Sequence, residues 1–224
     1  MINEIINNQR NAYSETFQNY GATPQGTYQN NIETQNLRFE RITKHILQYL
    51  NGCSIHDIGS GLCDFHNYLQ LNDINHFYSG TEIVQEMIDY SLKKYNDIKL
   101  YNRDFLLVEK ELYDFIVLSG TLNMTHGIDK KIWKKYCLNL IEKMFSMSSK
   151  GIVFNFLTSY NTFSQEDLIY FNPAKMLDFC IKKLSRFVVI DQSYPLYEVT
   201  ITVLKKDFVK SIYKNECFDK YFKN

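Results

Sequence analysis

The chain has 224 residues, 45% of them hydrophobic, and its 25 Lys+Arg are balanced by 25 Asp+Glu. That length can bury a substantial core and that apolar content excludes a disordered chain. The neutral balance gives no electrostatic reason to expect a nucleic acid or an anionic membrane as the main partner.

Five scattered cysteines, Cys53, Cys63, Cys137, Cys180 and Cys217, never take Cys-x-x-Cys spacing and are odd in number. This argues for reduced thiols rather than a zinc site or a disulfide framework, and no metal is expected. The five histidines form no His-x-x-x-His pair. No run approaches the length of a membrane span, and Met1-Ile2-Asn3-Glu4 is not a basic region leading into an apolar core. A cytoplasmic protein without a signal peptide is the expectation.

Residues 1–36 are polar and weakly patterned, although Tyr13, Phe17 and Tyr20 are spaced like one face of a helix. The stretch Gly21-Ala22-Thr23-Pro24-Gln25-Gly26-Thr27-Tyr28 reads as a loop. A helical pattern starts at Glu33 and continues through Leu37, Ile42, Ile46 and Leu50, with Asn51-Gly52 as its stop. A strand at Cys53–Ile58 follows, then Gly59-Ser60-Gly61, then a helix from Asp64 to about Leu71 for which Asp64 is the expected N-cap.

His76–Ile83 reads as a second strand, residues around Met87–Tyr95 as a helix, and Ile98–Tyr101 as a short third strand. Tyr113–Ser119 is the most apolar run and suits a central parallel strand buried on both faces. A long helix is expected over about Asp129–Met147, then a fifth strand at Ile152–Leu157 led in by Lys150-Gly151, and a helix near Pro173–Leu184. Repeated strand–helix alternation argues for a parallel sheet covered on both faces. The alternation then fails. Phe187–Asp191 and Tyr197–Leu204 have no helix between them and should pair antiparallel. The tail, residues 206–224, is aromatic and basic, with room for one more helix.

Ligands of open α/β sheets bind outside the carboxyl ends of the strands. Those ends collect Asp57, Gly59 and Gly61 from the first strand and Glu82 with Ile83 from the second. The third supplies Asp104-Phe105 and the fourth Ser119-Gly120-Thr121. The glycine pair alone is equally compatible with a bare turn, a dinucleotide site or a methyl-donor site. An acid about 25 residues after the loop can accept both hydroxyls of a ribose. Asp104-Phe105 offers a carboxylate and an aromatic face beside a base.

Taken together, Asp57-Ile-Gly-Ser-Gly, Tyr78-Ser-Gly-Thr-Glu82-Ile-Val-Gln-Glu-Met87, Asn102-Arg-Asp104-Phe105 and Tyr113-Asp-Phe-Ile-Val-Leu-Ser-Gly120 resemble the class I S-adenosylmethionine-dependent methyltransferases over residues 37–205. The resemblance implies an α/β, Rossmann-like, seven-stranded, mostly parallel sheet with helices on both faces and a C-terminal antiparallel strand pair. It implies S-adenosylmethionine as cofactor. Arg38, Asp57, Gly59, Gly61, Glu82, Ile83, Asp104, Phe105 and Ser119 would be the binding residues. Arg38 has a second reading, as a helix-surface arginine. Residues 1–36 would be an arm covering the pocket and 206–224 a tail, within a single domain.

The chain departs from the family at one point: Cys63 stands where a third loop glycine is usual. The stretches Tyr20-Gly-Ala-Thr-Pro-Gln-Gly and Glu33-Thr-Gln-Asn-Leu-Arg-Phe-Glu40 are similar to a smaller bacterial subgroup associated with surface-polysaccharide (capsule) and small-metabolite modification. That likeness points to O-methylation of a small polar acceptor, such as a sugar, a sugar nucleotide or a phosphorus-containing capsule precursor. N-methylation of a small metabolite and a non-catalytic cofactor-binding module are the alternatives. A neutral hydroxyl must lose its proton during transfer, which invites a general base. His126, just after the fourth strand, is the candidate. Tyr28, Asn123 and Tyr160 are candidates for the acceptor site.

Overall fold

The computed structural model describes residues 2–223. Its seven-stranded sheet comprises β1 (Cys53–Ile58), β2 (His76–Glu82), β3 (Lys99–Asn102), β4 (Tyr113–Leu118), β5 (Ser148–Leu157), β6 (Val188–Asp191) and β7 (Glu198–Leu204), in the order β3-β2-β1-β4-β5-β7-β6. β1 to β5 are mutually parallel, and β7 runs antiparallel to both β5 and β6. After β1 the chain winds one way to β2 and β3, then returns to the other side of β1 for β4 and β5. The crevice at that reversal is where an open sheet takes a ligand.

The helices are α1 (Ile2–Tyr20), α2 (Ile32–Lys44), α3 (Asp64–Leu71), α4 (Gln85–Lys94), α5 (Lys130–Ser146), α6 (Pro173–Lys183) and α7 (Lys206–Ile212). Alternation along the central strands feeds two cores. Ile116 and Leu118 of β4 pack with Ile152, Phe154 and Phe156 of β5 against Trp133, Cys137, Leu140 and Ile141 of α5. Phe115, Val117 and Val153 face the other way, onto Phe39 and Ile42 of α2 and Phe65 and Leu69 of α3. Both faces of β4 are therefore dry, which is why its sequence is an unbroken apolar run. Each such side chain contributes about 1.5–3 kcal/mol by burial.

Three local expectations are corrected. The helix expected from Glu33 to Leu50 ends at Lys44, and Leu47–Tyr49 form a separate 3-10 turn. Arg41, Lys44 and His45 all face the Asp191 carboxylate, with the Lys44 Nζ at 3.1 Å. The turn that follows lets Ile46 and Leu50 both be fully buried, while Leu47 stays exposed. Gly52 does supply the left-handed turn into β1, at φ 72°.

Lys150-Gly151 is strand rather than lead-in. β5 begins at Ser148 because it is paired on both sides, and a Cβ on Gly151 would lie 2.6 Å from the Val203 carbonyl. Asp64 is not the cap of α3. That place is held by Cys63 at φ 59°, while the Asp64 carboxylate accepts from Gln35 Nε2 at 3.0 Å. Cys63 is fully buried and packs in the α2–α3 core. The substituted position is thus one whose backbone favours glycine. The helical spacing of Tyr13, Phe17 and Tyr20 belongs to a 19-residue helix, α1, and α2 begins at Ile32, one residue before the expected start.

Candidate functional site

A cavity of about 390 Å³ opens at the carboxyl ends of β1, β2 and β4, within the size range of small-molecule sites. Its first wall is the β1 loop. Gly59 has φ 70°, and a Cβ there would meet Thr121 Oγ1 at 2.4 Å, so both backbone and space require glycine. Gly61 has φ 52°, and its N–H donates to Glu82 Oε2 at 2.9 Å. Asp57 sits beneath the loop and accepts from the Tyr78 hydroxyl at 2.8 Å. Burial pushes its carboxyl up to about 7, against the pull of the Tyr78 bond.

Glu82 ends β2 and is buried. Its Oε1 accepts from the N–H groups of Ile83 (2.7 Å) and Val84 (3.0 Å), which fix the carboxylate toward the cavity it lines. Burial raises its pKa although these bonds oppose the rise. Asp104 follows β3. Its Oδ1 accepts from the Leu106 N–H (3.0 Å) and the Tyr136 hydroxyl (3.1 Å). Its Oδ2 is buried with no partner, and burial again raises the pKa. A buried acceptor left open costs about 1–3 kcal/mol unless a ligand donor meets it. Phe105 is buried against the His56 ring (5.2 Å between centroids) and still lines the cavity, as do Ile83 and Ser119.

The second wall is built by the N-terminal segment, α2, β5 and β7. From α1, Gln9 Nε2 donates to the Met124 and Thr125 carbonyls (3.2 and 3.3 Å) and Arg10 Nε to the Ile83 carbonyl (2.9 Å). These bonds hold Tyr13 in the wall, where burial raises its phenol well above the ordinary range. Tyr28, at φ 56°, stacks edge-on to Tyr13 at 5.0 Å.

Arg38 lines the cavity but does not offer an empty fork. Its Nε and Nη2 grip Glu198 (2.8 and 2.7 Å to Oε1), and its Nη1 donates to Gln29 Oε1 at 2.6 Å. Asn155 Nδ2 donates to the other Glu198 oxygen at 2.6 Å, and Asn155 Oδ1 accepts from the Gly120 N–H at 2.7 Å. One network therefore links the N-terminal segment to the end of β4. Asn123 lines the cavity with Oδ1 committed to the Leu157 N–H (3.2 Å).

Two expected residues are not brought to the cavity. His126 lies behind the aromatic wall, 5.2 Å from both the Tyr13 and Tyr28 rings, at φ 46° and with Nε2 buried and unpartnered. Burial lowers its pKa. Tyr160 is exposed on the β5–α6 connection, its hydroxyl accepting from Asn172 Nδ2 at 3.5 Å. Conversely, Gln9, Gln29 and Glu198 line the cavity without having been singled out. Gln9 and Gln29 gave no local signal. Glu198 did carry one, as a charge opening the apolar run Glu-Val-Thr-Ile-Thr-Val-Leu.

No family model matches the chain. It is 29% identical over 157 residues to Rv1506c of Mycobacterium tuberculosis, a protein named as a candidate methyltransferase. That match covers 68% of this chain and 93% of the relative. Among solved structures, it superposes on magnesium protoporphyrin IX methyltransferase of Synechocystis with bound S-adenosylmethionine at a TM-score of 0.64. Identity there is 12%, with 89% of this chain and 96% of that one covered. The DhpI–SAM–HEP complex gives 0.63 at 12% identity, covering 88% and 96%. A Burkholderia thailandensis toxoflavin-precursor N1-methyltransferase gives 0.64 at 10% identity, covering 91% and 89%. At these identities the likeness to the solved structures fixes the fold. Among the described residues, no helix is long and apolar enough to cross a membrane.

Proposed function

We infer that this chain, which has the fold of the class I S-adenosylmethionine-dependent methyltransferases, is itself such an enzyme and methylates an oxygen of a small polar acceptor. S-Adenosylmethionine supplies a methyl group already activated on a sulfonium. The protein's work is then alignment and the exclusion of water. The observation that carries the reading is the unpartnered, buried Asp104 Oδ2 on the same cavity as the glycine loop and the Glu82 carboxylate. A ligand with an amino donor on an aromatic base and a vicinal diol meets that set of acceptors.

In this reading Asp104 accepts from the adenine amino group and Phe105 packs on the base. Glu82 accepts from the ribose. Gly59 and Gly61 admit the methionine part, with Asp57, Ile83 and Ser119 around it. Tyr28, Asn123 and Tyr13 border the acceptor. The likeness of the N-terminal motifs to the surface-polysaccharide subgroup supports a sugar, sugar nucleotide or phosphorus-containing precursor as acceptor class. Calorimetry tests the donor half. S-Adenosylmethionine and S-adenosylhomocysteine should bind the wild type in the micromolar range, and Glu82→Ala should weaken both at least tenfold. No binding by the wild type overturns the reading.

A further inference from the structure

The second wall of the cavity is oriented by bonds that leave little freedom in which atom faces which. A guanidinium is donor only, so the amide oxygen of Gln29 must face Arg38 and its Nε2 must point elsewhere. That Nε2 lies 3.4 Å from where a Cβ on Gly120 would stand, at the carboxyl end of β4. The Leu157 N–H likewise fixes Asn123 with oxygen toward the strand, so its Nδ2 is left over. Arg38 has five N–H groups. The bonds to Glu198 and Gln29 occupy Nε–H and one hydrogen on each Nη, and one N–H remains on each.

The carboxylate of this wall, Glu198, is committed on both oxygens to Arg38 and Asn155. Tyr13 adds a phenol that burial holds in its protonated, donating form. The cavity surface contributed by Gln29, Arg38, Asn123 and Tyr13 is therefore one of spare N–H and O–H donors.

We propose that this wall is a subsite for an oxyanion already ionised at neutral pH, a carboxylate or a phosphoryl oxygen, and that this oxyanion is the methyl acceptor. The inference rests on the methyltransferase reading and narrows its acceptor. Charge-assisted bonds from guanidinium and amide groups are the ones such an oxygen forms best. The oxyanion forms the new O–C bond as the donor's S–C bond breaks. The bonding pair stays on sulfur, the negative and positive charges are both consumed, and no proton is released. The wall then has no proton to remove, and it needs no base from His126 behind it.

The test uses the full chain saturated with S-adenosylhomocysteine and three probes: methylphosphonate, acetate and the neutral methyl glucopyranoside. Titration followed by NMR should show methylphosphonate or acetate binding, with the preferred anion identifying the source, and the glycoside at least tenfold weaker. Gln29→Glu and Asn123→Asp keep the oxygen that faces Arg38 or Leu157 and turn the spare donor into a carboxylate oxygen. Both should bind S-adenosylhomocysteine like the wild type and lose at least tenfold in anion affinity. The inference is overturned if the glycoside binds best, or if both variants hold the anions as tightly as the wild type. Failure of the wild type to bind S-adenosylhomocysteine at all would instead remove the methyltransferase reading itself.

Discussion

The two walls of the cavity differ in hydrogen-bonding character. The wall from β1, β2 and β3 presents acceptors: Asp57, Glu82 and Asp104, whose carboxyl groups are all raised by burial. The wall from the N-terminal segment, α2, β5 and β7 holds its charges already paired, Arg38 on Glu198, and leaves donors over on Arg38, Gln29 and Asn123 beside the amide oxygens of Gln9 and Gln35. The first wall holds three carboxyl groups that burial disfavours in their charged form, one of them with an open oxygen. The second is internally balanced, its buried charges paired within the protein. A strained site and a relaxed one thus share a cavity, and substitutions should behave differently on each.

The largest effect is expected on the acceptor-rich wall. Gly59→Val adds a Cβ 2.4 Å from Thr121 Oγ1 at a backbone φ of 70°. Calorimetry should find S-adenosylmethionine affinity down by more than 100-fold, with a clear loss of thermal stability. Near-normal binding would break the comparison at its root.

Next comes pH. Asp57 is raised from an ordinary carboxylate value to about 7. Its contribution to stability is therefore complete below the unfolded pKa near 4 and is lost as pH rises through the folded value. Between pH 5 and 8 this amounts to roughly 3 kcal/mol. Urea denaturation of the ligand-free protein should show that loss relative to Asp57→Asn, in which the group cannot ionise. Identical pH dependence in the two proteins would mean that the wall carries no such electrostatic load.

A smaller change is expected from Asp104→Asn, which takes away a charged acceptor. Losing one charge-assisted bond of about 1.5–3 kcal/mol should weaken S-adenosylhomocysteine tenfold or more. Affinity within twofold of wild type would detach Asp104 from the cofactor.

Two near-neutral substitutions sharpen the boundary of the site. Cys63→Gly relieves a left-handed residue, worth about 1–3 kcal/mol, but empties the space of a buried thiol. The two effects oppose, so the melting temperature should move by only a few degrees and cofactor affinity by less than threefold. His126→Ala should leave the steady-state rate within threefold of wild type, because the ring lies behind Tyr13 and Tyr28. A hundredfold loss, with a pH–rate profile shifted, would return His126 to the site.

The acceptor-rich wall was legible in the sequence because its parts sit at strand ends. Asp57 and Glu82 stand in the last two positions of β1 and β2, and Gly59 and Asp104 one and two residues past β1 and β3, so finding the strands finds the residues. The order of the sheet was legible for the same reason: alternation of strands and helices, ended by two strands with no helix between, leaves few ways to wind.

The pairing inside the donor-rich wall was not legible, although Arg38, Tyr28 and Asn123 were candidates and residues 1–36 were read as an arm over the pocket. Arg38 and Glu198 are 160 residues apart and meet only because α2 packs against β5 and β7. Nothing local says that the Arg38 fork is spent on a protein carboxylate rather than open to a ligand. Gln9, Gln29 and Tyr13 belong to a polar segment read only as a whole, as an arm over the pocket, and its docking over the β4 end decides which of its side chains line the cavity. His126 is the converse case. It follows β4 in the chain, and its ring lies against Tyr13 and Tyr28 from a left-handed backbone position that no local pattern announces. The sequence by itself determined the sheet and the acceptors on its rim, because local periodicity and strand-end position are properties of short segments. Which donors face those acceptors was decided by tertiary structure, because it depends on long-range pairs that satisfy buried charge.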